Sequence, residues 1–332
     1  MSKLSIIIPV YNAEKFIKET LLSIQSQTFT DFECIVVNDG STDNSLKVIE
    51  QFINNDKRFK LISIENSGCA DIPRHVGIRN SKSDFVFLID ADDIVDKNCL
   101  ELLVNRQIET DSDVILMRLI GCVNDIEGEL YRIPDDDFNM DQIISGQDAF
   151  LKTIDGWKIS FNGMFVKRSL FVNNIPGKWM NSDEFSHRKI ILKAKKVAFV
   201  DSWYRYRNHK STSRTLNFRF FERANVDAEL NEFIVDNFDD KSLELRLIRK
   251  ARFFNLIHLV YDYYKNKFEF SKYQKKQIKS NFKKLYYSQD LKQLRIQFPK
   301  HCLFFLRYSL FYFISIIYCM IKDVQGKVYI YK

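Results

Sequence analysis

Four β-type runs alternate with helical stripes across residues 5–90, and no other feature of the chain constrains its fold as tightly. Ser5–Val10 is a β-branched run, and Asn12 then stands as the N-cap of a helix with Phe16, Ile17, Leu21 and Ile24 on one face. Glu33–Asn38 reads as a second strand. A helix bearing Leu46, Ile49 and Ile53 follows it, capped by Thr42 or Asp43. Lys60–Glu65 reads as a third strand, Asp71–Asn80 as a short helix, and Phe85–Asp90 as a fourth strand apolar enough for a sheet interior. Strands and helices at this spacing build βαβ units, so the expected fold is α/β with a mostly parallel sheet flanked by helices. Right-handed crossovers then bring the strand carboxyl ends, and with them any ligand, to one edge.

Farther along, Asp113–Arg118 and Lys196–Trp203 read as strands, Gly146–Ile154 and Lys189–Lys196 as helices, and residues 124–142 as an acidic loop. From Phe218 the pattern turns helical, basic and aromatic, which sets the expected boundary at residue 215: an N-terminal domain 1–215 and a helical C-terminal region 216–332. The six cysteines lie far apart without a CxxC pair, so neither a zinc knuckle nor a disulfide framework is expected. Met1–Leu4 runs straight into the first strand, and no leader is expected.

The net charge of +7 is concentrated downstream, with sixteen Lys and Arg against four acids between Lys241 and Lys300. Such an excess attracts nucleic acid or the phosphates of a membrane. The apolar, aromatic run Cys302–Ile321, broken by Arg307, favours lipid and argues against nucleic acid. That run is long enough to cross a bilayer, to lie at its surface or to form a core helix. With the basic stretch ahead of it, docking on the cytoplasmic face of the membrane is the expectation.

Two groups of polar residues stand at strand ends. Pro9-Val10-Tyr11-Asn12 follows the first strand and Asn38-Asp39-Gly40-Ser41-Thr42-Asp43 the second. Gly40 allows a tight turn near a ligand, the Asp39 carboxylate can accept from the N–H of a base, and Tyr11 can give that base a stacking face. Good turn chemistry alone would also account for these residues. Asp90-Ala91-Asp92-Asp93 ends the fourth strand. Three carboxylates this close repel one another, and a hard divalent cation such as Mg²⁺ or Mn²⁺ relieves the conflict; a solvated acidic cap is the alternative. No Gly-rich, Lys-ending phosphate loop opens the chain, which argues against a nucleotidyltransferase.

Together these segments, SIIIPVYNAEKFIKETLLSIQSQTF, VVNDGSTDNS and RHVGIRNSKSDFVFLIDADD, resemble the family 2 glycosyltransferases, inverting enzymes of the GT-A fold. The resemblance covers residues 4–100 closely and extends more loosely to about residue 215. It implies a nucleotide-sugar site at Pro9, Tyr11, Asn12, Asp39, Gly40, Arg74, Asp90 and Ala91, with Pro9, Tyr11 and Asp39 touching base and ribose. It implies a Mn²⁺ or Mg²⁺ ion at Asp92, with Asp90 and a downstream His209 beside it. In the family an acidic pair near position 183 deprotonates the acceptor. Here Ser182 stands at the first acidic position, Asp183 aligns with the base, and Glu184, one residue on, is the rival. Arg74 departs from the family pattern in being followed by His75. The implied reaction moves a sugar, UDP-borne by expectation, to a glycan or lipid-linked acceptor. A non-catalytic glycan-binding scaffold is the alternative that Ser182 raises.

Overall fold

A computed structural model describes residues 4–123, 128–154, 158–171, 174–208, 216–238, 243–289, 291–297, 304 and 307–324. The chain divides into two compact units, Met1–Ser211 and Thr212–Lys332. The first unit opens with β1 (Leu4–Val10), α1 (Ile17–Gln25), β2 (Phe32–Asp39), α2 (Ser45–Ile53), β3 (Phe59–Ile64), α3 (Asp71–Asn80) and β4 (Phe85–Leu88). It continues with β5 (Ile94–Val95), α4 (Cys99–Thr110), β6 (Val114–Val123), β7 (Glu129–Ile133), β8 (Ile143–Ile144) and α5 (Gly146–Ile154), and closes with β9 (Phe165–Lys167), α6 (Ser182–Lys193) and β10 (Val197–Asn208).

These strands form one sheet in the order β3-β2-β1-β4-β9-β6-β10-β5, with β7 on β6 and β8 on β10. The pairs β1–β2, β2–β3 and β1–β4 are parallel, whereas β9 runs antiparallel between β4 and β6. After β3 the chain crosses back to the other side of β1, so the order reverses between β1 and β4. Ligands of open α/β sheets bind outside the strand carboxyl ends at such a reversal. β1 and β2 are buried on both faces, as their unbroken apolar runs require, and the core beneath α1, α2 and α4 is built from residues such as Ile6, Ile8, Leu21, Val36 and Leu103. The mixed α/β architecture, with helices flanking one sheet, is the one the sequence leads one to expect.

Several local expectations need correction. Asn12 is not a helix cap: α1 begins at Ile17, and Asn12 takes a left-handed φ of 51°. α2 starts behind Asn44, although Asp43 Oδ1 does accept the Ser45 N–H at 2.9 Å. The fourth strand ends at Leu88, two residues early. Residues 124–142 are not all loop, because β7 pairs with β6. A side chain at Gly121 would meet the Tyr131 ring at 2.3 Å, so β7 packs where β6 carries no Cβ, a match invisible in either segment alone. α6 starts seven residues before the expected Lys189, at Ser182.

The second unit holds α7 (Arg223–Asn237), α8 (Leu243–Asn266), α9 (Lys272–Tyr287), α10 (Leu291–Gln297) and α11 (Tyr308–Val324). Its core is aromatic: Phe221, Phe253, Phe282, Tyr286 and Phe311 are almost fully buried, with Phe221 edge to face on Phe282 and Phe311 tilted against Phe253 and Tyr286. α11 adds Phe311, Ile316 and Cys319 to this core. No helix among the described residues is long and apolar enough to cross a membrane.

Candidate active site

The carboxyl ends of β1 and β2 are laced together. Asn12 Oδ1 accepts the Thr42 N–H at 2.8 Å, the Asn12 N–H donates to Ser41 Oγ at 3.1 Å, and the Ala13 N–H donates to Ser45 Oγ at 2.8 Å. Asn12 therefore shapes the rim through its side chain and its left-handed backbone. Pro9 pairs with β2 in register but lies beyond the last β1–β4 partner, Ile7, so its missing N–H breaks no ladder on that side. Tyr11 stands at the rim, 48% exposed, with its ring available to a ligand.

Asp39 ends β2 and is buried. Its two oxygens accept from the Ser67 N–H at 2.8 Å and the Ser67 hydroxyl at 2.9 Å. Burial pushes its carboxyl above the usual range, against the pull of these bonds. Gly40 follows with φ 66°, and a Cβ there would lie 2.6 Å from the Asn66 nitrogen. Only glycine lets this turn close against the segment after β3.

Arg74, on α3, is 4% exposed. One guanidinium nitrogen, Nη2, reaches Asp90 Oδ1 at 2.5 Å and the other, Nη1, reaches Asp183 Oδ2 at 2.8 Å. Burial works against its charge, but the two carboxylates more than offset that and hold it protonated. Asp71, one turn earlier, accepts from the Gly177 N–H and the Ser186 hydroxyl, each at 2.6 Å. Burial pushes its carboxyl up, but His75 close by, with the Ser186 and Gly177 bonds, outweighs it and holds the carboxyl down at about 2. Thus α3 grips α6 twice, and the grip brings Asp183, in the first turn of α6, to Asp90 at the end of β4. Glu184 turns elsewhere, to an ion pair with Arg188 at 3.3 Å. Ser182 has a structural task, since its hydroxyl accepts the Trp179 N–H at 2.8 Å.

The Asp90–Asp93 turn is fastened from both sides. The Thr20 hydroxyl, from α1, lies 2.9 Å from the Ala91 carbonyl and 2.8 Å from the Asp93 carbonyl. From β10, the Tyr204 hydroxyl accepts the Asp90 N–H at 3.1 Å and donates to Asp93 Oδ2 at 2.7 Å. The Arg207 N–H donates to Asp93 Oδ1 at 2.8 Å, and Arg207 Nε donates to the Asp92 carbonyl at 3.0 Å. Burial, with Asp92 and Asp90 adding to it, pushes the Asp93 carboxyl well above the ordinary range. Burial also pushes Asp90 up; Arg74 pulls it down, and Asp92 adds to the rise.

Among the described residues no group of three His, Cys, Asp or Glu side chains could hold a metal ion; of the expected set Asp90, Asp92 and His209, only the two aspartates fall within them, and His209 lies outside. Mg²⁺ and Mn²⁺ need only one or two carboxylates when substrate phosphates complete the shell, so the chemistry of Asp90 and Asp92 fits. Sequence reasoning missed Thr20, Ser67, Asp71, Tyr204 and Arg207. The one local signal was a threonine within the apolar stripe of α1.

The profile of glycosyl transferase family 2 matches residues 5–165. That match spans just under half of the chain, which there resembles the family 2 glycosyltransferases. The chain is 28% identical over 283 residues to the glycosyltransferase GlyG of Streptococcus pneumoniae, covering 77% of this chain and 87% of that one. It is 39% identical over 124 residues to the poly(ribitol-phosphate) beta-N-acetylglucosaminyltransferase TarS of Staphylococcus aureus, covering 36% of this chain and 22% of TarS. The crystal structure of TarS residues 1–349 with UDP-GlcNAc superposes with a TM-score of 0.68 at 18% identity, across 99% of this chain and 94% of that structure. At that identity the likeness speaks for the fold.

Proposed function

We propose that the enzyme moves a sugar, with inversion, from a UDP-sugar to a hydroxyl of a glycan or lipid-linked acceptor in cell-surface polysaccharide synthesis. The span of Arg74 between Asp90 and Asp183 carries this reading. It sets a carboxylate on a later helix close to one at the strand edge, a juxtaposition that a single displacement with a base on the acceptor side can use. That TarS is named as a poly(ribitol-phosphate) beta-N-acetylglucosaminyltransferase, and was solved with UDP-GlcNAc, supports a UDP-sugar donor and a polymeric hydroxyl acceptor.

In this reading Tyr11 stacks on the base, and Asp39 accepts from a base N–H with lone pairs beyond those that Ser67 uses. Pro9, Asn12, Gly40 and Ala91 shape the backbone around the nucleotide. The acceptor oxygen bonds to the anomeric carbon and passes its proton to Asp183. The bond from that carbon to the diphosphate breaks, and UDP leaves with the electron pair. Asp92 and Asp90 would hold Mg²⁺ or Mn²⁺, with His209 beside them, and a bound cation offsets the charge of the leaving diphosphate. Arg74 adds fixed positive charge between the two carboxylates. The basic segment 241–300 supports a peripheral position on the inner face of the membrane.

UDP release from a panel of nucleotide-sugars with Mn²⁺, for the wild type and Asp92→Ala, tests the proposal. The expected result is release from one or more UDP-sugars and its loss in a variant with an unchanged melting curve. Release from non-UDP donors alone, or equal release by the variant, overturns it.

A further inference from the structure

α11 carries no charged residue from Tyr308 to Ile321, yet among the described residues one of its faces is buried and the other exposed. Phe311, Ser315 and Cys319 follow one another at helical spacing and are buried against the second unit's core. On the other side Phe313 is 62% exposed, and Leu310, Ile317, Met320 and Ile321 stand exposed with it. Large apolar side chains exposed together along one helix face suit an interaction surface.

Beside it runs a groove of about 510 Å³ between α8, α9 and α11, floored by Ile316, Ile317 and Met320. Two lysines edge this groove. Lys267 Nζ lies 4.1 Å from the Tyr264 ring centroid and 5.3 Å from that of Phe268, and Lys279 Nζ lies 5.7 Å from that of Tyr312. Phe268, next to Lys267, is 84% exposed. α9 itself has six lysines and no acid. An apolar floor under ammonium groups matches an acyl chain below a phosphate, the arrangement by which interfacial helices seat at the headgroup boundary. A second copy of the chain fits poorly, because a two-fold contact here would bring lysine-rich α9 against itself.

We propose that this face is an anionic-lipid site: the groove accepts an acyl chain, Lys267 and Lys279 hold the lipid phosphate, and the exposed stripe of α11 lies in the headgroup boundary. The proposal deepens the membrane position given above and needs no donor or acceptor chemistry.

The test is co-sedimentation of the full chain with vesicles of phosphatidylcholine alone or equimolar with phosphatidylglycerol. The expected result is binding to the anionic vesicles only, weakened by salt. Lys267→Glu and Lys279→Glu should each weaken it roughly tenfold. Phe313→Ser with Ile317→Ser should weaken it at least as much, with UDP release in solution unchanged. Variants that bind anionic vesicles as the wild type does overturn the site, as does equal binding to both vesicles. A dimer by light scattering that dissolves in Phe313→Ser/Ile317→Ser, without vesicle binding, overturns it in favour of a second copy. Loss of UDP release in the wild type speaks against the transferase reading alone.

Discussion

Arg74 satisfies two carboxylates, Asp90 and Asp183, that are far apart in sequence and serve opposite sides of the proposed reaction. Asp183→Asn keeps the shape of this contact but removes the proton acceptor, so kcat should fall by about 10²–10⁴-fold with donor affinity nearly unchanged. Glu184→Gln, whose parent side chain pairs with Arg188, should retain most of its rate. Steady-state transfer with donor and acceptor varied separately decides this, and a dead Glu184→Gln beside an active Asp183→Asn would falsify the assignment. Asp39→Ala should weaken UDP binding roughly tenfold or more even without metal, since a charged hydrogen bond contributes about 1.5–3 kcal/mol. Calorimetry giving equal affinities would remove Asp39 from the base site. The position of Asp39 at the end of β2 was legible in the sequence, whereas Asp183, on the first turn of α6, was singled out only by the family resemblance. The partners that occupy them were not legible: Ser67 and Arg74 carry no mark of burial.

At the scale of elements, the turn after β4 owes its shape to α1 and β10. Tyr204→Phe strands a backbone N–H and a buried carboxylate together, so it should lower both stability and apparent Mn²⁺ affinity in UDP-release titrations, the latter by about tenfold. An unshifted Mn²⁺ titration would mean that the turn holds its form without the hydroxyl. α6 supplies a pH signature as well. Burial, with Arg74 adding to it, lowers the His187 imidazole from 6.5 to about 4, and its ring nitrogens find no hydrogen-bond partner among the described residues. The unfolded chain thus takes a proton below about pH 6.5 that the folded chain refuses until about 4. Stability should rise with pH across this window, by up to roughly 3 kcal/mol. Urea midpoints should show that slope, reduced in His187→Gln; equal slopes would assign it elsewhere. α3 and α5 were readable with their observed bounds, since apolar period and flanking turns agree. β7 and the start of α6 were not, because a pairing across Gly121 and a grip from Asp71 define them.

At the scale of the whole molecule, strand order was legible only as a class. Alternation implied parallel strands, but nothing local announced that β9 would run antiparallel through the middle of the sheet. The apolar tail was ambiguous for a related reason: one face of α11 meets the aromatic core and the other does not, and composition averages the two. The shared guanidinium of Arg74 bears on how such enzymes change partners. Exchanging residues 174–208 for the matching segment of a relative would look like a clean swap of acceptor preference. Yet the incoming segment must bring a carboxylate at 183, a hydroxyl at 186 and a tyrosine at 204. We predict that chimaeras with no hydrogen-bonding side chain at 183 lose UDP release from the donor alone as well as transfer, because Arg74 then closes on Asp90 unopposed. Chimaeras that keep all three should retain UDP release. Hydrolysis assays across a set of such hybrids would reveal whether recombination at this border is free or confined to donors of one lineage.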